Sequence, residues 1–325
     1  MENKHFIDDL AQSINDDSSI DEISKNQVMR NLAKLKDTKV NILITGATGS
    51  GKSSTINALF NTEKAKVGQG VDPETMDIVK YELDNIVLYD SPGLGDGKEA
   101  DNRHAKNIIN KLYEKDSDGN LLIDLVLVIL DGSTRDLGTS FDLINNVIIP
   151  NLGEDKSRLL VAINQADMSM KGKGWDYEQN KPSPELIKFL DEKVASTRRR
   201  IKEATGVDIE PIYYVAGYKD GVQKQRPYNL SKLFAFILRH TKQEKRAVFI
   251  QDINKDKTMW EDDEDLKKHS KEIKESLWDS IRSSASKGAD IGGSIGKVFG
   301  KKGEAIGSAV GAFVGGIYGI LASRR

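Results

Sequence analysis

The chain has 325 residues, 38% of them apolar and 30% charged, with a formal net charge of −2. That length allows one large domain or two modest ones, the composition excludes collagen-like, low-complexity and fully disordered classes, and the charge balance speaks against nucleic-acid binding by bulk positive charge. The absence of cysteine excludes disulfide frameworks, thiolate metal sites and cysteine nucleophiles and fits a reducing cytoplasm, and four scattered histidines do not suggest a metal centre.

The start, MENKHFIDDLAQ, has no apolar stretch behind a basic segment, so no secretory signal is expected. Apolar spacing at Ile20, Ile23, Val28, Leu32 and Leu35 predicts a helix over 7–37, with Ser18 and Ser19 available as caps. VNILIT (40–45) reads as a strand bounded by Gly46, followed by a helix over 52–60. Strands are predicted at 77–83 and 85–90 with a tight turn at Asp84–Asn85, then an amphipathic helix over 101–116. LIDLVLVIL (122–130) and RLLVAIN (158–164) are apolar almost throughout, as strands buried on both faces are. Helices are expected at 140–152, ended by Pro150, at 184–206, ended by Gly206, and at 230–242, with a strand at 211–217 between the last two. This alternation predicts an α/β domain with a mostly parallel sheet over 38–242. The flanks read as a helical N-terminal extension (1–37), a charge-rich helical region (243–287) with an acidic knot at Glu261–Asp265, and a glycine-rich tail (288–325).

Gly46-Ala-Thr-Gly-Ser-Gly51-Lys52-Ser53 matches the phosphate-loop pattern G-x-x-x-x-G-K-[ST], and it sits between a predicted strand and a predicted helix. A triphosphate needs backbone N–H groups turned inward around it, which glycine-rich backbone permits, and the helix N-terminus adds its positive end. Gly46 and the run from Thr48, Gly49, Ser50, Gly51, Lys52 and Ser53 to Ser54 are therefore the expected phosphate-binding residues. Lys52 brings charge to the β- and γ-phosphates and the Ser53 hydroxyl ligates Mg²⁺. Asp90-Ser-Pro-Gly93 ends a strand as D-x-x-G, with Asp90 reaching the metal through water and the Gly93 N–H facing the γ-phosphate. Thr75, between the first helix and the next strand, stands where a switch threonine closes on metal and γ-phosphate. Asn164-Gln165-Ala-Asp167 ends another strand and resembles the base-reading pattern [NT]-K-x-D. Its aspartate accepts from guanine N1–H and N2–H₂, whereas adenine offers no donor there.

With these motifs in this order, the chain resembles small GTPases of the translation-factor-related class. Within it the nearest likeness is the Era-like group, including the prophage-associated YfjP/YeeP-type GTPases of bacteria. NILITGATGSGKSSTINALF carries the resemblance most strongly, and the motifs span 38–242. It implies a three-layer P-loop GTPase G domain with a six-stranded, mostly parallel sheet and one antiparallel edge strand. It implies GTP/GDP and Mg²⁺ as ligands, with Lys52, Thr75 and Gly93 at the reacting phosphate and Ser53, Thr75 and Asp90 at the metal. Val215-Ala216-Gly217 then supports guanine O6, with Ala216 in the base site. Two positions depart from the pattern. Gln165 replaces the lysine whose stem normally stacks on the base and braces the phosphate loop, which implies weaker guanine affinity. Leu94 replaces the glutamine that orients water, which implies slow hydrolysis unless a partner or a dimer supplies the missing group.

In the tail, Gly292, Gly296 and Gly300 recur every fourth residue, as do Gly303, Gly307, Gly311, Gly315 and Gly319. Each set falls on one helical face where backbones can touch. The uncharged run Ala305–Ser323 is 19 residues long, flanked by Lys301, Lys302, Arg324 and Arg325. It reads either as a segment peripheral to or inserted in a bacterial inner membrane, or as helices packed in a soluble domain. Three functions stay open at this level: a membrane-associated GTPase switch, an Era-like GTPase acting on the ribosome or RNA, and a nucleotide-binding interaction protein with negligible turnover. No KH module follows the G domain, which counts against the second.

Overall fold

The computed structural model describes residues 5–16, 18, 21–60, 66–69, 78–95, 97–220 and 223–286. Thr75 and the glycine-spaced tail therefore lie outside the described residues. The N-terminal segment forms two helices, α1 (Phe6–Asn15) and α2 (Glu22–Asp37), where one was expected. The break follows from Asp21. Its backbone is extended and its side chain accepts from the Ser24 N–H, so Asp21 rather than a serine at 18 or 19 caps α2. Ile23, expected on the apolar face, is 84% exposed.

The elements then run β1 (Val40–Gly46), α3 (Lys52–Leu59), β2 (Lys66–Gln69), β3 (Val79–Glu82), β4 (Ile86–Asp90), α4 (Lys98–Tyr113) and β5 (Leu125–Asp131). α5 (Gly138–Asp142) continues through a π-helical stretch, Leu143–Ile148, into α6 (Ile149–Asn151). Pro150 accounts for the widening. It brings no N–H, and its ring would press on the carbonyl four residues back in a regular helix. β6 (Leu159–Asn164) is followed by the hairpin β7 (Trp175–Asp176) and β8 (Lys181–Pro182), then α7 (Pro184–Thr205) and β9 (Ile212–Tyr213). A second hairpin, β10 (Tyr218–Asp220) and β11 (Gln223–Gln225), precedes α8 (Leu230–His240), α9 (Phe249–Asp252) and α10 (Leu266–Ser286). Within the charge-rich region the described residues form two short 3₁₀ turns, α9 and α10.

The main sheet has the order β2-β3-β4-β1-β5-β6-β9. β4, β1, β5, β6 and β9 are parallel, and β3 pairs antiparallel with β4. These are the six strands expected, and the four-residue β2 adds a seventh beyond β3. Alternation along each strand divides the interior into two cores. Ile42, Ile44, Leu125, Leu127, Ile129, Leu160 and Ala162 face one side, while Leu43, Val126, Val128, Leu130, Val161 and Ile163 face the other. α4, α5 and α7 cover the second core, completing an α/β/α sandwich.

The first core is larger because the flanking helices join it. Residues of α1 and α2 (Phe6, Ile7, Val28, Leu32), α8 (Phe234, Ile237) and α10 (Ile273, Leu277, Ile281) form one apolar cluster with the sheet. α10 packs on both α2 and α8, and the Asn31 side chain donates to the Ala285 carbonyl at 2.9 Å across the first of these contacts. The tight turn at Asp84–Asn85 is held from the C-terminal side. The Asp252 carboxylate accepts from the Asn85 and Ile86 N–H groups at 2.6 and 2.7 Å.

This packing makes α10 part of the domain core. Leu277→Ala, at a fully buried position, is expected to lower stability by about 2–5 kcal/mol. Urea denaturation followed by circular dichroism checks it, and a loss near zero would mean that α10 is a detachable appendage.

Candidate nucleotide-binding site

The parallel strands end on one edge of the sheet, and the loops after β1, β4, β6 and β9 meet there, as ligand-binding loops do in open α/β sheets. The first runs from Gly46 to Lys52. Gly51 holds the left-handed conformation (φ +88°) as the N-cap of α3, and a Cβ on it would lie 2.2 Å from the Asn164 Nδ2. Only glycine satisfies both constraints. The Lys52 ammonium folds across the loop and donates to the Gly46 and Ala47 carbonyls, both at 3.2 Å. Ser53 and Ser54, in the first turn of α3, and Thr48 and Gly49, at the crest of the loop, are exposed.

Asp90, the last residue of β4, is half-buried beside this loop. Burial pushes its carboxyl pKa up, offset in part by the Lys52 charge and the Ser53 hydroxyl. Its Oδ1 is buried with no hydrogen-bond partner in the structure. A partnerless carboxylate oxygen beside a serine hydroxyl is a hard-oxygen donor set that suits Mg²⁺. Among the described residues no group of three or more His, Asp or Glu side chains is arranged to hold a metal ion. Such an ion would therefore take its remaining ligands from phosphate and water, its usual habit at nucleotides. Beyond Asp90, the Ser91 hydroxyl donates to Thr45 Oγ1 at 2.8 Å. Leu94 forms a parallel bridge with Ala47, and its side chain is buried in the second core. The position after D-x-x-G thus presents no hydrogen-bonding side chain.

The third loop follows β6. The buried Asn164 amide spans two loops, donating to the Ser50 carbonyl and accepting from the Ala216 N–H, both at 2.9 Å. Gln165 corrects the sequence expectation. It takes the left-handed conformation (φ +58°), and its Nε2 donates to the Gly49 carbonyl at 2.6 Å. The brace on the phosphate loop is therefore present, supplied by an amide in place of an ammonium. Asp167 is 4% exposed. Burial raises its pKa, and its own backbone N–H, the Gln225 amide and the Met168 N–H offset this only in part.

Sequence reasoning missed two contributors. Tyr214, wholly buried, shares a hydrogen bond of 2.6 Å with Thr55, whose hydroxyl also donates to the Gly51 carbonyl at 2.8 Å. This fixes α3 against the loop that carries Ala216. Gln225, on the β10–β11 hairpin, lies near enough to Asp167 to lower its pKa although its buried amide makes no hydrogen bond of normal geometry, and no motif marks that hairpin. The structure thus brings Gly46, Thr48–Ser54, Asp90, Gly93, Asn164, Gln165, Asp167 and Ala216 together at one edge.

Residues 41–165 match the family described as 50S ribosome-binding GTPase. Interferon-inducible GTPase 1 of Mus musculus is 32% identical over 101 residues, which cover 29% of this chain and 24% of that protein. The match thus spans about a quarter of the length of that curated relative. Solved structures similar to this one include the G domain of the T. maritima FeoB iron transporter, with 18% identity, 62% of this chain and 98% of that chain covered, and a TM-score of 0.36. Toc33 from Arabidopsis thaliana in complex with GDP and Mg²⁺ shows 16% identity, with 75% of this chain and 99% of that chain covered and a TM-score of 0.44. LeoA, a bacterial dynamin GTPase from ETEC, shows 14% identity, with 65% and 36% covered and a TM-score of 0.37.

Because burial raises the Asp167 pKa in the folded state, folding favours its protonated form. The stability this contributes is complete below the unfolded value of about 3.9 and is lost as pH rises through the higher folded value. At neutral pH the ionised carboxyl therefore costs stability. Asp167→Asn is expected to raise the melting temperature of the nucleotide-free protein at neutral pH, with the gain shrinking as pH falls toward about 4. Thermal melts across that range check this, and a lower melting temperature at neutral pH contradicts it.

Proposed function

We propose that the chain binds GTP with Mg²⁺ and hydrolyses it to GDP and phosphate as a conformational switch. The observation that carries this reading is the Asn164 amide, which joins the phosphate loop to the loops holding Asp167 and Ala216. One nucleotide placed with its phosphates over Gly46–Ser53 would reach Asp167 with its base. The buried carboxylate gains two donors from guanine and none from adenine, so adenine leaves it desolvated and unpaired at a cost of about 1–3 kcal/mol.

In this reading the N–H groups from Thr48 to Ser53 cradle the phosphates and Lys52 exchanges its carbonyl partners for phosphate oxygens. Ser53 and Asp90 hold Mg²⁺, which when bound neutralises charge on the β- and γ-phosphate oxygens. Thr75 joins them, and the Gly93 N–H faces the γ-phosphate. The buried Leu94 cannot orient water, so intrinsic turnover is slow and a partner, a second copy of the chain or another switch residue completes the reaction. The Era-like, YfjP/YeeP-type assignment belongs to this proposal and rests on the order of the motifs, as does the division at 37/38 and 242/243.

The reading extends to the tail, which we assign to membrane contact. The uncharged run of 19 residues and the four-residue glycine spacing support it. Among the described residues no helix is long and apolar enough to cross a membrane. Liposome flotation of the full chain and of a chain ending at Lys287 tests this. Flotation should be lost with the tail, and flotation that survives would overturn the assignment.

For the nucleotide site, Lys52→Ala is expected to abolish tight GTP binding, and Asp167→Asn to move preference from guanine toward xanthine nucleotides. Titration of labelled GTP, GDP and XTP into each variant checks both. A Lys52→Ala protein that binds GTP like the wild type would overturn the phosphate-loop assignment.

A further inference from the structure

The loop after β4 is gripped from two sides, and only one of them belongs to the motifs described above. On the phosphate-loop side, the Thr48 N–H donates to the Leu94 carbonyl at 3.0 Å and the Leu94 N–H to the Gly46 carbonyl at 3.4 Å. The approach is so close that a Cβ on Gly93 would lie 2.2 Å from Thr48 Oγ1 and 2.5 Å from Thr48 Cα. The other side is α4. His104, only 5% exposed, places Nδ1 3.1 Å from the Gly93 carbonyl oxygen. A carbonyl only accepts, so Nδ1 carries the proton and donates. Three residues earlier on the same helical face, Asp101 Oδ1 accepts from the Gly95 N–H at 2.8 Å. A donor and an acceptor on α4 thus match a carbonyl and an N–H of the loop.

From this geometry we infer that His104, assisted by Asp101, is a positioning residue for GTP hydrolysis that holds Gly93 against the phosphate loop in the orientation its N–H needs toward the γ-phosphate. The inference rests on the function proposed above and adds a residue to it. Gly93 has no side chain of its own to lock its backbone, and its neighbour Leu94 points into the core. Its orientation is therefore set by what grips its peptide groups. Losing the imidazole donor would leave the carbonyl side without its partner on α4, and the loop could rotate about Gly93. The N–H would then drift from the γ-phosphate while the contacts of a diphosphate stayed as they were. Small errors of placement at a reacting phosphate are costly, since the rate depends on near-attack geometry.

The test uses the full chain and three variants. His104→Leu fills the space without a donor, His104→Asn keeps an N–H near the Nδ1 position, and Asp101→Ala removes the Gly95 anchor from a partly exposed site. For each, kcat for GTP and the affinities for GDP and for a non-hydrolysable GTP analogue are measured. His104→Leu is expected to lower kcat and the analogue-to-GDP affinity ratio about tenfold each, the value of one well-placed hydrogen bond. GDP affinity should stay within about twofold, a change of less than half a kcal/mol. His104→Asn should recover most of both losses, and Asp101→Ala should move both quantities in the same direction. Wild-type values in His104→Leu would overturn the inference, as would parallel loss of GDP and analogue binding in His104→Leu and His104→Asn. If His104→Leu does not fold, His104→Asn and Asp101→Ala decide the matter. Asp101→Ala with wild-type kcat and affinity ratio would overturn it. Absence of GTP turnover in the wild type would instead overturn the hydrolytic reading alone, because the affinity ratio still reports where α4 holds Gly93.

Discussion

The site depends on one buried amide. Asn164 is 2% exposed, and its side chain has a partner at each end: the Ser50 carbonyl at 2.9 Å and the Ala216 N–H at 2.9 Å. Removing it would orphan a donor and an acceptor in the interior, at about 1–3 kcal/mol each. It would also uncouple three loops that come from strands far apart in sequence. The rest of the edge is arranged around it. Gly51 must be glycine because the Asn164 amide occupies the space of a Cβ. Gln165 adds a second tie from the same strand end to Gly49. Tyr214 adds a third through Thr55, from beneath the phosphate loop. The loop Gly46–Lys52 and the loops that carry Asp167 and Ala216 are therefore mechanically one unit.

The flanking helices serve that unit from behind. α1, α2, α8 and α10 share the core formed by the first face of the sheet. The acidic stretch before α10 is tied down rather than free. Arg226 pairs with Glu261 and Asp262, Lys232 pairs with Glu264, and Glu264 accepts from Tyr213 and Asn229. These contacts flank the strand and loop that carry Ala216 and Gln225. Residues beyond 242 thus brace β9 and the segment that follows it through neighbouring charges, although none carries a nucleotide motif.

Much of the site could be read from the sequence because its chemistry is local. Gly46–Ser53, Asp90–Gly93 and Asn164–Asp167 each follow an apolar strand directly, and a loop pinned to a strand end keeps its motif contiguous. The central strands were legible for a similar reason, since two-sided burial writes β1, β4, β5 and β6 as nearly unbroken apolar runs. What escaped was non-local or conditional. Gln165 looked like a lost brace, because a residue type does not reveal that its left-handed backbone aims the amide at Gly49. His104 and Tyr214 act through partners 11 and 159 residues away, which no spacing announces. The helix over 7–37 split because Asp21 caps more strongly than the apolar rhythm continues, and the helix ending at Asn151 widened because Pro150 sits within its last turn rather than after it.

The central claim is that a single guanine nucleotide bridges Lys52 and Asp167. Equilibrium titration of the wild-type chain with GDP, GTP and ATP, side by side in Mg²⁺ buffer, tests it most directly. Both guanine nucleotides are expected to bind at least about tenfold more tightly than ATP, the discrimination one unpaired buried carboxylate supplies. Equal affinities for GTP and ATP would contradict it.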